Sequence, residues 1–121
     1  MGKTALVIDD NANNLLLEKD VLEVAGFEVF IAENATKGIS LAREKRPGII
    51  IMDMRLPDMR GSDAAKQLLL YPETRDIPVV FVTASVLAEG IEEIRTIPNA
   101  VFISKPINTR TFAKEVTQFM K

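Results

Sequence analysis

The strongest constraint in this chain is a set of short, continuous apolar runs, most of which stop abruptly at a polar residue. Thr4 to Asp9 (TALVID) and Ile49 to Asp53 (IIIMD) end in aspartate, VVFV after Pro78 runs into Thr83, and AVFIS runs into Lys105 and Pro106. Runs this short and this rich in β-branched side chains, apolar without alternation, fit strands buried on both faces. A further strand-like run, Glu28 to Ala32 (EVFIA), has no polar tip.

Helical patterns fill the gaps. Residues 12 to 25 place Leu17, Val21 and Val24 at helical spacing, with Gly26 as a C-terminal cap. Ala35 to Arg46 turns Ile39 and Ala42 inward and is broken by Pro47 and Gly48. Gly61 to Tyr71 reads as helical up to Pro72, and residues 87 to 96 as a weaker, polar helix before Pro98. Thr109 to Met120 aligns Phe112, Val116 and Phe119 on one face. Strand and helix thus alternate five times. Helical crossovers between wholly apolar strands require a parallel sheet covered on both sides. The pattern therefore predicts an α/β fold, a flavodoxin-like doubly wound (βα)5 sandwich with a five-stranded parallel sheet.

At 121 residues the chain is expected to form a single domain, 1–121, with one hydrophobic core. It has no cysteine, which excludes disulfides and thiolate zinc sites, and no histidine, which excludes Ser-His-Asp triads and imidazole ligands. A net charge of −2 argues against direct contact with nucleic acid. No apolar run is long enough for a bilayer, and Met1 to Thr4 leads into a strand without the layout of a signal peptide. A cytoplasmic domain with no membrane partner is expected.

In doubly wound sheets ligands bind at the carboxyl ends of the strands. Those ends carry Asp9, Asp10, Asp53, Thr83 and Lys105. Singly, each has a plain explanation: an Asp-Asp pair or Asn11 caps a helix, Lys-Pro is a common loop dipeptide, and threonine favours strands. Jointly they form a pocket whose carboxylates repel one another and need compensation. Lys105 offsets one charge, and a hard divalent cation on all-oxygen donors offsets the rest; Mg2+ fits best because it accepts few carboxylates and keeps room for water and phosphate. Such a pocket suits an aspartate attacking phosphorus, with Thr83 donating its hydroxyl to a phosphoryl oxygen and the small Ala84 leaving the acceptor open.

These residues resemble the receiver domain of two-component response regulators, over essentially the whole chain. VIDDNANNLLL is similar to the family's first strand, acidic pair and first helix, IIMDMRLPDMRG to the segment around its phosphoacceptor, and IPVVFVTA and FISKPI to its fourth and fifth strands. The resemblance implies that Asp53 accepts phosphate from a phosphohistidine on a histidine kinase or phosphotransfer protein. It implies Mg2+ bound by Asp9, Asp10, Asp53 and the backbone carbonyl of Arg55, Lys105 paired with the phosphoryl group, and a cis bond before Pro106. Thr83 would then reorganise a face made by helix 4, strand 5 and helix 5, where a downstream protein target docks. The family often has tyrosine where this chain has Phe102. The ring is either a switch partner of Thr83 or simply core, and having no hydroxyl to satisfy it is expected to lie inward. Arg55 and Ser85 occupy positions that tune dephosphorylation in receivers, and the charge on the helix-4 segment (Glu89, Glu92, Glu93) is either a solvated face or a partner surface.

Other functions fit less well. An aspartate-nucleophile phosphohydrolase would want Asp-x-Asp after the first strand and a cap, whereas the chain has Asp9-Asp10 and no length for a cap. A nucleotide or flavin binder needs a Gly- or Ser/Thr-rich phosphate loop where these two carboxylates stand. A phosphate-independent adaptor of the pseudo-receiver type would have lost some of the five key residues, and all are present. The expectation is a signalling receiver, not an enzyme with a separate substrate.

Overall fold

A computed structural model describes residues 3–83 and 91–120. Five strands, β1 (Lys3–Ile8), β2 (Phe27–Ala32), β3 (Ile49–Asp53), β4 (Val79–Thr83) and β5 (Ala100–Ser104), alternate with the helices α1 (Ala12–Val24), α2 (Ala35–Lys45), α3 (Gly61–Leu68), α4 (Ile91–Arg95) and α5 (Phe112–Phe119). The sheet is parallel throughout, in the order β2-β1-β3-β4-β5. The winding direction reverses between β1 and β3, so the crevice of a doubly wound fold opens above the ends of those two strands.

Strand pleating divides the core into two layers. Ala5, Val7, Ile49, Ile51, Val80 and Val82 pack with Leu15 and Leu22 of α1 and Phe112 and Val116 of α5. Leu6, Ile8, Ile50, Met52 and Phe81 pack against α2, α3 and Ile94 of α4. Both faces of β3 are sealed, with Ile49 through Met52 fully buried. That explains the unbroken apolar run: each such side chain is worth about 1.5–3 kcal/mol when buried.

The helix ends follow from local chemistry. Asn11 caps α1 by accepting from the Asn14 N–H at 3.0 Å, and Asn34 caps α2 by accepting from Lys37 N–H at 2.8 Å. The third helix stops at Leu68, short of the Tyr71 read from the pattern, because the buried Thr74 hydroxyl donates to the Leu68 carbonyl at 2.6 Å. The last helix begins at Phe112, after a turn in which the Asn108 carbonyl accepts from both Thr111 and Phe112. Residues 87–90 of the expected fourth helix lie outside the described residues, as do Ala84 and Ser85. Among the described residues no helix is long and apolar enough to cross a membrane.

One helix face departs from the sequence pattern. The buried residues of α1 are Leu15, Glu18 and Leu22, while Leu17 is 42% and Val24 89% exposed. Three consecutive leucines at 15–17 satisfy either phase, and the charged residue at 18 favours the wrong one. The phase is fixed instead by the Asn11 cap and by packing on β1 and β2. Leu22→Ala is therefore expected to cost about 2–5 kcal/mol, and Val24→Ala no more than about 0.5 kcal/mol, as read from urea-denaturation midpoints.

Candidate functional site

The strand ends converge as the pattern predicts. Asp9 follows β1 with 2% exposure, Asp10 is exposed beside it, and Asp53 closes β3 half-buried. One carboxylate oxygen from each of Asp9, Asp10 and Asp53 lies within 4.8 Å of the others. Lys105 Nζ stands 3.2 Å from Asp53 Oδ2 and 3.6 Å from Asp9 Oδ2. Asp10, Asn11, Asn14, Asp53, Met54, Arg55, Thr83 and Lys105 line a cleft of about 420 Å³.

Local hydrogen bonds aim these groups. Asp9 Oδ1 accepts from the Asn11 N–H at 2.9 Å, and Asp53 Oδ1 from the Arg55 N–H at 3.2 Å. Lys105 is tied to β4 by its own N–H, which donates to the Thr83 carbonyl at 2.8 Å, and its bond to Pro106 is cis. Burial pushes the Asp9 carboxyl above the ordinary aspartate range, partly offset by the Asn11 N–H and the Lys105 ammonium. Burial alone would lower the pKa of Lys105, but Asp53 and Asp9 outweigh it and hold the ammonium above the usual lysine value. Lys105 is therefore charged, and so fit to meet an anion.

The loop after Asp53 is pinned at both ends. Gly61 N–H donates to the Met54 carbonyl at 2.7 Å, and a Cβ at Gly61 would collide with the Asp53 carbonyl oxygen, so only glycine fits. Arg55 pairs with Arg60 in an isolated β-bridge. Across the cleft rim, Asp58 accepts from Ala35 N–H, Thr36 N–H and the Thr36 hydroxyl at 2.9, 2.9 and 2.6 Å, capping α2 from 23 residues away.

Phe102 is not where the sequence reading puts it, and Glu18 is a residue that reading did not single out. Phe102 is 37% exposed, not inward. Its sheet neighbour Phe81 is fully buried and fills that layer, and β5 is an edge strand. Glu18 is a fourth carboxyl beside the cleft, 3% exposed. Its helical offset from Leu15 and Leu22 was the available signal.

A family model for the response regulator receiver domain matches residues 5–117. The chain belongs to that family. Receivers are signalling domains of two-component systems. The polar-differentiation response regulator DivK of Brucella anthropi is 35% identical over 99% of this chain and 98% of its own. The solved chemotaxis response regulator CheY4 of Vibrio cholerae superposes with a TM-score of 0.92 at 22% identity, covering 99% of this chain and 100% of that one. The receiver domain of a Pseudomonas aeruginosa sensor histidine kinase, solved with magnesium coordinated in its active-site cleft, gives 0.89 at 22% identity, covering 98% of each.

The Asp58 carboxyl is held at about 2, first by the Thr36 hydroxyl and then by the backbone donors. A depressed acid adds stability above its unfolded value of about 3.9 and loses it as pH falls through about 2. Because Asp58 is exposed, the gain stays on the scale of an N-cap. Asp58→Ala is expected to cost this receiver about 1 kcal/mol at neutral pH. The gap from wild type should close as denaturation is repeated from about pH 4 down to about pH 2.

Proposed function

We propose that this receiver accepts a phosphoryl group on Asp53 from a phosphohistidine of a histidine kinase or phosphotransfer protein, in a Mg2+-dependent reaction. The carrying observation is the Asp53 carboxylate at a cleft wall, 3.2 Å from a charged Lys105 and clustered with Asp9 and Asp10. Three carboxylates against one ammonium leave a surplus of negative charge that would turn away a phosphoryl dianion. The donors are all oxygen and close enough to share one hard ion, so the residues fit Mg2+. Asp9, Asp10, Asp53 and the backbone carbonyl of Arg55 would hold it. When bound, it supplies neutralisation of phosphoryl oxygens during transfer.

The chain's own residues do the rest. A carboxylate oxygen of Asp53 forms the new O–P bond as the donor's P–N bond breaks. Lys105 keeps its ammonium on a phosphoryl oxygen, where it stabilises the charge that develops in flight. Thr83 supplies a hydroxyl from the end of β4, and Phe102 on β5 follows its movement. The α4-β5-α5 face then meets a downstream protein target. The exposed Phe102 supports this face, and so does the 3.6 Å pair between Arg60, which precedes α3, and Glu93 of α4. The same reading makes residues 1–121 one cytoplasmic receiver domain, limited to its own phosphorylation and dephosphorylation, with no direct nucleic-acid or membrane partner.

Incubation with Mg2+ and labelled acetyl phosphate tests the reading. Wild type is expected to incorporate label, Asp53→Asn and EDTA-treated protein to lose it, and Lys105→Met to label slower by two or more orders of magnitude (about 3 kcal/mol). An Asp53→Asn variant that labels as well as wild type refutes the assignment.

A further inference from the structure

Glu18 has no role in the chemistry described above, and its position is unusual. It lies on the buried face of α1 between Leu15 and Leu22, where an apolar side chain would continue the core. Among the described residues its carboxyl makes no hydrogen bond and no ion pair, although the residue is 3% exposed. Buried carboxyls without partners are rare outside functional sites. Glu18 lines a cavity of about 280 Å³ with Asn14, Leu17, Lys105, Pro106 and Ile107. Asn14 and Lys105 also line the Asp53 cleft, so the lysine side chain is a wall shared by two cavities. Lys105 Nζ reaches Asp53 at 3.2 Å and Asp9 at 3.6 Å, and the same residue shares the second cavity with Glu18.

We propose that Glu18 is a positioning residue for Lys105, a competing anion near the ammonium that sets how firmly it is held at Asp53. Every other side chain around this second cavity is neutral, so among the described residues Lys105 is the one cation lining it that can answer the carboxyl. The charged groups that bear on Glu18 are Asp9 after β1, Lys105 after β5 and Asp53 at the end of β3. On the packed elements, Lys3 of β1, Glu28 of β2 and Lys114 of α5 are exposed, and Lys19 of α1 is paired with Glu23. Glu115 of α5 accepts from the Thr111 hydroxyl. Burial, with Asp9 next, pushes the Glu18 carboxyl up to about 8, against the pull of Lys105. Below that value the carboxyl is neutral and leaves Lys105 to Asp53. Above it the carboxylate draws the ammonium back. The device rests on the phosphoacceptor reading of Asp53.

Two measurements test it. The first is the initial rate of labelling by acetyl phosphate from about pH 6.5 to about pH 9.5. Wild type is expected to slow several-fold across about pH 8, while Glu18→Gln and Glu18→Leu stay flat. The second needs no phosphate: the NMR shift of Lys105 Cε should titrate with a midpoint of about 8 in wild type and lose that step in both variants. Glu18→Leu preserves the apolar face if Glu18→Gln folds poorly. Parallel pH profiles in wild type and variants, or a Lys105 signal unmoved near pH 8, overturn the proposal. A wild type that takes no label refutes the Asp53 reading instead, and the Lys105 titration then decides on Glu18 alone.

Discussion

The site depends on one electrostatic imbalance. Asp9, Asp10 and Asp53 are brought within 4.8 Å at the ends of β1 and β3, and a single ammonium faces them. Carboxylates this close repel strongly in a partly dry pocket. The fold tolerates the arrangement because the strands beneath are sealed on both faces, from Ala5 to Ile8 and from Ile49 to Met52. The core thus holds together a charge cluster that would otherwise relax apart, and in the proposed function that cluster takes a cation and then phosphate. The parallel register sets these distances: Ile8 lies opposite Met52, so Asp9 and Asp53 emerge side by side.

Most of this frame was legible in the chain itself. TALVID, IIIMD and VVFVT could be little else than buried strands, and their polar tips marked the crevice in advance. AVFIS has the same composition but forms the edge strand β5, where Ala100, Val101 and Ile103 are half-buried and Phe102 and Ser104 exposed. The cap at Asn11 and the stop at Gly26, whose φ of 99° suits only glycine, were likewise local signals. What could not be read depends on contacts far apart in sequence. The phase of α1 is set by packing and not by its leucine triplet, and this hid Glu18 on the inner face. The exposure of Phe102 depends on Phe81 having filled the layer and on β5 being an edge. The Asp58 bridge to Thr36 spans 22 residues and leaves no local pattern.

The rim of the cleft is as constrained as its floor. Gly61 lies directly against the Asp53 backbone, Asp58 fastens the same loop to α2, and Arg60 reaches Glu93 on α4. Lys105 is fastened to β4 through the Thr83 carbonyl. A change of charge at Asp53 therefore has two short covalent and hydrogen-bonded routes toward α4 and β5, through the loop at residues 54–60 and through the Thr83–Lys105 link. The proposed function needs such connections, because it places the chemistry on one carboxylate and the recognition on a surface.

The most direct test of the central claim is a crystal structure grown with Mg2+ and beryllium fluoride, a mimic of the phosphoryl group. The account predicts the mimic bonded to an Asp53 carboxylate oxygen, with Mg2+ on Asp9, Asp10 and Asp53 and Lys105 Nζ in hydrogen-bond contact with a fluoride. A mimic absent from Asp53 under saturating conditions, or bound there without Lys105, would contradict it.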